Sequence, residues 1–170
     1  QELNLWEGII NSSFLAENDS ANVNTVVHPE KDILAVNINS PLIGKGKMNV
    51  NFRFPYPSGG HADDATNWSV PEKHSTVVVS QDDNSFILKR TLDSTTYFIN
   101  VSYEGEAKLS EKESHYFVLS PLSDNVAFTC EFLSEMPEVS ENNAQQVFDA
   151  SSKNWISFWE DGGVVDFSNC

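Results

Sequence analysis

The sequence predicts an all-β fold, an antiparallel β-sandwich followed by one C-terminal helix, and three observations lead to this prediction. Apolar and polar residues alternate in short runs from residue 1 to about residue 134, which is typical of strands with one buried face. Turn-forming residues separate these runs, and no amphipathic helical pattern comes between them. After Pro137 the apolar spacing becomes helical. Roughly ten strands at hairpin spacing favour two packed sheets.

The first clear hairpin is predicted in "VNTVVHPEKDILAVNINS", with its turn at "PEKD". Pro29 presets the turn and Asp32 can accept hydrogen bonds from nearby backbone amides. The next strand is "KMNVNFRF", in which the alternation places Met48, Val50, Phe52 and Phe54 on one face and Asn49, Asn51 and Arg53 on the other.

A second hairpin is predicted in "STVVVSQDDNSFILKRTLD", with "QDDN" at its tip. The segment "TTYFINVSYEG" follows as a strand rich in β-branched and aromatic residues. The segments "SHYFVLSPL" and "NVAFTCEFL" complete the predicted sheets.

One helix is predicted over residues about 142 to 160, with Ser140 as its N-cap and Gly162 as a left-handed C-cap. Its apolar stripe consists of Val147, Phe148, Ser151, Trp155, Phe158 and Trp159. A helix that only packs on the sandwich needs less aromatic surface than this, so a connector between domains is favoured over a packing helix.

The charge of the chain argues against two classes of partner. Ten Lys and Arg stand against 25 Asp and Glu, which gives a formal net charge of -15. Such a chain repels phosphate backbones and anionic lipid headgroups. We therefore expect neither nucleic acid nor a membrane as a partner.

Secretion is compatible with several local features. Gln1 could follow a removed signal peptide, and four Asn-x-Ser sequons are candidate glycosylation sites: Asn11, Asn18, Asn67 and Asn100. Cys130 is interpreted first as a buried free thiol, since it lies in a strand pattern. A disulfide between Cys130 and Cys170 is the alternative in an oxidising compartment. The expected localisation is secreted, extracellular or periplasmic.

The segment 55–74 is the longest irregular one, and long loops in compact domains are often functional. It collects six side chains of interest: Tyr56, His61, Asp63, Asp64, Trp68 and His74. A solvated loop is the favoured interpretation and contact with a sugar is the next one, because aromatic rings beside hydrogen-bonding groups bind sugar rings. His28 and His115 are expected to be structural or surface residues.

No convincing catalytic set can be found in the sequence. There is no nucleophile elbow, no phosphate-binding loop and no metal-ligand spacing, so we expect no catalytic residue, no metal and no cofactor within this chain.

Three segments resemble the N-terminal region of bacterial and fungal six-hairpin glycosidase-like proteins: "TVVHPEKDILAVNINSPL", "NFRFPYPSG" and "NWISFWEDGGVVDFS". The maltose and kojibiose phosphorylases have a related architecture. The resemblance covers roughly residues 3 to 168 and implies a galactose-mutarotase-like supersandwich, a linker helix and an (α/α)6 barrel. It also implies two parts, a supersandwich domain at 1–138 and, at 139–170, a linker helix with a tail leading to the barrel.

The barrel of such proteins carries the catalytic carboxylates, so the resemblance transfers no catalytic residue to this chain. It implies a non-catalytic domain of a secreted glycoside hydrolase, with carbohydrate and the barrel of the same polypeptide as partners. Tyr56, His61, Asp63 and Trp68 are the residues expected to reach the rim of the sugar cleft. A stand-alone carbohydrate-binding module and a structural cell-surface sandwich are the alternatives.

Overall fold

The computed structural model describes residues 1–57, 59–61, 66–137 and 143–162. The first half of the chain contains strands β1 (Glu2–Asn4), β2 (Ile9–Ala16), β3 (Asp19–Val27) and β4 (Ile33–Asn39), the short helix α1 (Pro41–Gly44), and strands β5 (Val50–Arg53), β6 (Tyr56–Pro57) and β7 (Thr66–Asn67). The second half contains strands β8 (His74–Gln81), β9 (Ser85–Leu92), β10 (Thr95–Tyr103), β11 (Ala107–Glu113), β12 (Tyr116–Pro121) and β13 (Asn125–Leu133), and helix α2 (Ala144–Asp161).

These strands form antiparallel sheets that pack as a sandwich, which confirms the predicted fold class. The large sheet has eight strands in the order β1-β2-β3-β4-β13-β10-β9-β8, and the small sheet has the order β11-β12-β5. Six of the largest side chains in the core between them are Phe86, Leu88, Ile99, Val101, Phe117 and Leu119. Phe52 of β5 joins the sheets, because its ring meets Phe86 and Phe128 edge to face at centroid distances of 5.5 and 6.1 Å. The predicted register of "KMNVNFRF", with Phe52 inward, is therefore correct.

Both predicted hairpins are present, as β3–β4 and β8–β9. At the β3–β4 turn, we expected the Asp32 side chain to accept from nearby backbone amides. The side chain of His28 accepts from two amides of this turn. His28 Nδ1 accepts from the amides of Glu30 and Lys31, at 3.1 Å each. His28 precedes the turn, and its ring extends forward to the turn amides, so this histidine is structural.

Helix α2 begins slightly later than predicted and ends differently. Its N-cap is Asn143, whose side chain accepts from the amide of Gln146 while the Gln146 side chain accepts from the amide of Asn143. This reciprocal pair forms a capping box and makes Asn143 the N-cap where we expected Ser140, which lies outside the described residues. Gly162 has φ -104°, so the helix does not end in the expected left-handed cap.

The first two turns of α2 pack on the large sheet. Val147 is fully buried and lies with Ala144 against Val26, Ile33 and Ala35 of β3 and β4. The helix therefore covers the face of the large sheet that is turned away from the small sheet. The predicted boundary between residues 138 and 139 falls outside the described residues and stays a prediction.

The second half of α2 contacts the rest of the described chain through aromatic side chains, which we call the indole cluster (Trp6, Trp155, Phe158 and Trp159). Trp159 stacks on Trp6 at a centroid distance of 6.2 Å and on Trp155 at 6.0 Å, and its Nε1 donates to the carbonyl of Leu5 at 2.6 Å. Trp155 and Trp159 are half-buried, whereas Trp6 and Phe158 are 50% and 53% exposed. The indole cluster is therefore partly exposed, with two half-buried and two half-exposed side chains. None of the described helices combines the length and the apolar character that a bilayer crossing needs.

Candidate functional site

The described parts of the segment 55–74 contain more regular structure than its sequence suggests. Strand β6 pairs with β7, with Tyr56 opposite Asn67, and a 3-10 turn at Pro71–Lys73 leads directly into β8. The two ends of the segment therefore lie beside β5, β8 and β9, at one end of the sandwich.

A buried polar group, which we call the foot cluster (His74, Thr76, Arg90 and His115), ties both ends of this segment to the sandwich. Arg90 is 4% exposed and donates to Thr76 Oγ1 at 3.2 Å and to the carbonyl of Pro55 at 2.5 Å. His115 Nε2 lies 2.9 Å from the carbonyl of Pro71, and its Nδ1 lies 3.0 Å from Thr76 Oγ1.

The hydrogen-bond pattern assigns the protons of this cluster. A carbonyl only accepts, so Nε2 of His115 carries the proton and donates to Pro71. Nδ1 then accepts from the Thr76 hydroxyl, which itself accepts from Arg90. His115 has φ +63°, in the left-handed region, and this network offsets the strain of that conformation. As expected, His115 is structural.

His74 is held as a neutral imidazole. Its ring stacks on His115 at a centroid distance of 3.7 Å, and its Nδ1 is buried with no hydrogen-bond partner in the described part of the chain. Burial is the largest cause that lowers the pKa of His74; repulsion by His115 when that ring is protonated, and by Arg90, lowers it further against an opposing effect of Glu72. A proton on this ring would be unfavourable because it adds charge beside a buried guanidinium.

Tyr56, one of the predicted sugar contacts, is already engaged. Its hydroxyl donates to Asp93 Oδ1 at 2.9 Å, and this hydrogen bond is the main reason that the pKa of Tyr56 is raised. Its ring lies 5.8 Å from that of His74 and 5.6 Å from Lys73 Nζ. Tyr56 therefore fixes the start of the segment against the β9–β10 turn.

Trp68, the second predicted contact, belongs to an exposed group that we call the Arg53 stack (Arg53, Trp68 and Tyr116). The Arg53 guanidinium lies 4.6 Å from the Trp68 ring centroid and 4.8 Å from that of Tyr116. The Tyr116 hydroxyl donates to Asn51 Oδ1 at 3.0 Å. Trp68 is 52% exposed, so a flat aromatic surface with hydrogen-bonding neighbours faces solvent here.

The structure therefore brings only part of the predicted set together. Tyr56 and Trp68 lie on the same small hairpin but contact different partners. His61 is exposed, and Asp63 lies outside the described residues. Sequence reasoning missed Arg90, although the alternation that buries Phe86 and Leu88 also points Arg90 inward.

The predicted glycosylation positions differ in accessibility. Asn18 is exposed in the β2–β3 turn with φ +70°, and Asn67 Oδ1 accepts from the amide and hydroxyl of Ser69. Asn100 is 3% exposed on a central strand, where the fold leaves no room for a glycan. Asn11 lines a cavity beside α2.

Cys130 is buried and forms no disulfide within the described residues, and burial raises the pKa of its thiol to about 12. Cys170 lies outside the described residues, so the disulfide between them stays a prediction.

This end of the sandwich presents an exposed aromatic surface with hydrogen-bonding groups beside it. Across the described ranges, no three His, Cys, Asp or Glu side chains lie close enough to hold a metal ion. The imidazoles of the foot cluster are occupied by structural hydrogen bonds or buried. The Arg53 stack is the part of the site that can meet a ligand.

Comparison with known proteins finds a relative by structure. No family model matches the sequence, and no curated protein matches it. A solved structure titled "Putative kojibiose phosphorylase from human microbiome" matches with a TM-score of 0.55 and 10% sequence identity. The match covers 93% of this chain and 24% of that one.

The chain has the fold of a supersandwich domain. The likeness fits an N-terminal domain of the kojibiose phosphorylase architecture, as the three segments of the sequence predicted. The chain spans about a quarter of the length of its neighbour.

Proposed function

We propose that this chain is the non-catalytic N-terminal domain of a secreted glycoside hydrolase and that it packs against an (α/α)6 barrel of the same polypeptide. One observation carries the proposal: the structural match covers nearly all of this chain but only 24% of a protein titled a kojibiose phosphorylase. The remaining three quarters of such a protein have room for a catalytic domain.

The surface that would meet the barrel is the indole cluster and its surroundings. Phe158 and Trp6 are half exposed, and the neighbouring Leu3 and Leu5 are 53% and 58% exposed. Contiguous apolar surface of this kind marks interaction sites in soluble proteins. We assign it to the barrel because α2 is the last described element before the remainder of such a polypeptide.

The Arg53 stack would line the sugar cleft. Stacking on Trp68 and hydrogen bonds from Arg53 are suited to a neutral sugar ring, which has an apolar face and a rim of hydroxyls. The foot cluster would keep this surface in position, since it fixes both ends of the segment that carries Trp68.

The first experiment measures turnover of a panel of α- and β-glycosides, with water and with inorganic phosphate as acceptors. We expect none from the purified 170-residue chain and turnover from a longer polypeptide encoded by the same gene. Turnover by the 170-residue chain would refute the proposed role, and so would a gene without a downstream helical domain.

The second experiment tests cleft lining in the longer polypeptide. Trp68→Ala should raise KM with little effect on kcat, because Trp68 would bind ground and transition states alike. Phe14→Ala is the matched control, since Phe14 is a similarly exposed aromatic residue (48%) on β2 and outside the segment. Equal KM values for both variants would remove Trp68 from the cleft.

A stand-alone carbohydrate-binding module is the second candidate, and the exposed Trp68 ring favours it. In that case the 170-residue chain itself binds glycans and loses binding on Trp68→Ala. A structural cell-surface sandwich would show neither activity nor glycan binding. Secretion is tested separately, by the loss of mass that a peptide glycosidase causes at Asn18 of the native protein.

A further inference from the structure

A second polar surface lies on the large sheet, beside helix α2 and remote in sequence from the segment 55–74. Three asparagines occupy the same position on neighbouring strands: Asn11 of β2 pairs with Asn24 of β3, which pairs with Asn37 of β4. The parallel row two residues further along these strands consists of Ser13, Asn22, Asn39 and Asn125. We call these two rows the amide face.

The rows form a regular grid because the strands are in register. Neighbouring strands lie about 4.8 Å apart, and residues i and i+2 lie about 6.7 Å apart along a strand. A grid with these spacings presents several amides to one pyranose ring or to two linked rings. Amide groups both donate and accept hydrogen bonds, which matches the dual character of sugar hydroxyls.

A cavity of about 360 Å³ opens where the row of Asn11, Asn24 and Asn37 meets α2. Its polar lining consists of Glu7, Asn11, Asn24, Asn37, Gln145, Asp149 and Ser152. Phe148 adds an aromatic wall and also packs against the apolar cluster beneath the helix. The cavity thus combines a ring surface with converging polar groups, as small-ligand sites do.

One atom in this cavity lacks a partner. Asn37 Oδ1 is buried, and no hydrogen-bond donor in the described part of the chain reaches it. Beside it, Asn24 Nδ2 donates to Asn11 Oδ1 at 2.6 Å and does not donate to Asn37 Oδ1. A buried acceptor without a donor is costly, and a ligand hydroxyl in the cavity would satisfy it.

The charge around the cavity selects a neutral ligand. Strands β2, β3 and β4 contain no Lys or Arg and one acidic residue, Asp19. Glu7 and Asp149 can accept from hydroxyls but would repel a phosphate, sulfate or carboxylate.

We propose that the amide face and its cavity form a second carbohydrate site, which binds a neutral saccharide between the large sheet and helix α2. The site uses none of the residues of the Arg53 stack and needs no barrel. Its outcome is therefore independent of the proposed function.

The test is a titration followed by NMR of side-chain amides. The 170-residue chain is produced in a host that does not glycosylate it, so that Asn11 is unmodified. The probes are neutral oligosaccharides of glucose, mannose and galactose, with a sulfated oligosaccharide as the anionic comparison. We expect a neutral saccharide to shift the Asn24 and Asn37 amide signals, whereas the sulfated one does not.

Two variants locate the binding. Asn24→Ala should weaken it about tenfold, the effect of one or two lost hydrogen bonds to the ligand. Asp149→Asn, a near-isosteric change at an exposed position, should weaken it about threefold and keeps the test valid if Asn24→Ala fails to fold. Asn49→Ala, at an exposed asparagine just before β5, is the matched control and should bind like the unchanged chain.

Three results would overturn the proposal. The first is that no neutral probe shifts the Asn24 and Asn37 amide signals. The second is that a saccharide binds to the Asp149→Asn variant as well as to the unchanged chain. The third is that Trp68→Ala is the variant that loses saccharide binding, while Asn24→Ala and Asp149→Asn keep it. The last result would place all sugar binding at the Arg53 stack.

Discussion

Gly8 gives the sharpest test of how helix α2 is attached to the sandwich. It lies between β1 and β2 with φ +69°, and a Cβ at this position would overlap Cδ1 and Nε1 of Trp155. The indole cannot easily retreat, because Phe158 packs on it edge to face at 5.7 Å and Trp159 stacks on it at 6.0 Å. Gly8→Ala should therefore disturb both the turn and the indole cluster.

A matched glycine separates the two contributions. Gly46 also has φ +69°, but nothing lies within 4 Å of a Cβ built there. Alanine in this conformation costs about 1–2 kcal/mol at either position. Displacing a packed ring adds about 1–3 kcal/mol at Gly8 only. Gly8→Ala should thus reduce the free energy of unfolding by about 2–5 kcal/mol and Gly46→Ala by about 1–2 kcal/mol.

The assay is thermal and urea unfolding of the two variants, followed by far-UV circular dichroism and tryptophan fluorescence. For a chain of this size the difference between the variants corresponds to about 2–12 °C in Tm. The native fluorescence of Gly8→Ala should also change, because the environment of Trp155 changes. Equal destabilisation by both variants, with unchanged native fluorescence, would refute the contact between Gly8 and Trp155.

Three further predictions concern the helix cap, the buried arginine and pH. Asn143→Ala removes the capping box and should cost about 1 kcal/mol in urea unfolding; unchanged stability would contradict the cap. Arg90→Met leaves the buried acceptors around it without a donor and should lower the free energy of unfolding by about 2–3 kcal/mol. Arg53→Met, at the exposed stack, should lower it by under about 1 kcal/mol. Similar losses in the two variants would contradict the difference in burial. The pKa of His74 is lower in the folded chain than its ordinary value of 6.5. As the pH falls below about 6.5, the unfolded chain therefore takes up this proton more readily than the folded chain, and the stability should fall. Tm measured from about pH 8 to about pH 5 should show this decline, and His74→Gln should flatten it; a Tm that rises on acidification would contradict the sign.

The sequence predicted those strands whose pattern is set locally. The β3–β4 and β8–β9 hairpins follow from alternation on both sides of a short turn, so a single reading of the chain finds them. Strand β11 was not among the predicted strands, because it forms an edge of the small sheet and its residues are mostly polar and at least partly exposed. An edge strand has little apolar face to show in the sequence.

The candidate site could be predicted only in part, because its bonds join distant positions. Trp68 was a reasonable candidate from its loop alone. Arg90 reaches the carbonyl of Pro55 across 35 positions, and His115 reaches that of Pro71 across 44. The order of strands in the sheets decides such pairs. The amide face has the same origin, since its asparagines lie on different strands and become neighbours only through the register.

The geometry of helix α2 explains how one face of the large sheet can both pack against the helix and form part of the proposed saccharide site. Its 18 residues extend about 27 Å, yet its deeply buried positions, Ala144, Val147 and Ser151, all fall in the first half. That half covers the apolar row of Val26 and Ala35, and a cavity remains where it crosses the row of Asn11, Asn24 and Asn37. The second half contacts Trp6, Leu5 and Gly8 through the indole cluster, so its position depends on the turn at Gly8. A helix that only completed the core would have no use for these last turns. Their aromatic surface is half-buried against Trp6 and half-exposed, and the exposed part is where the proposed barrel would pack.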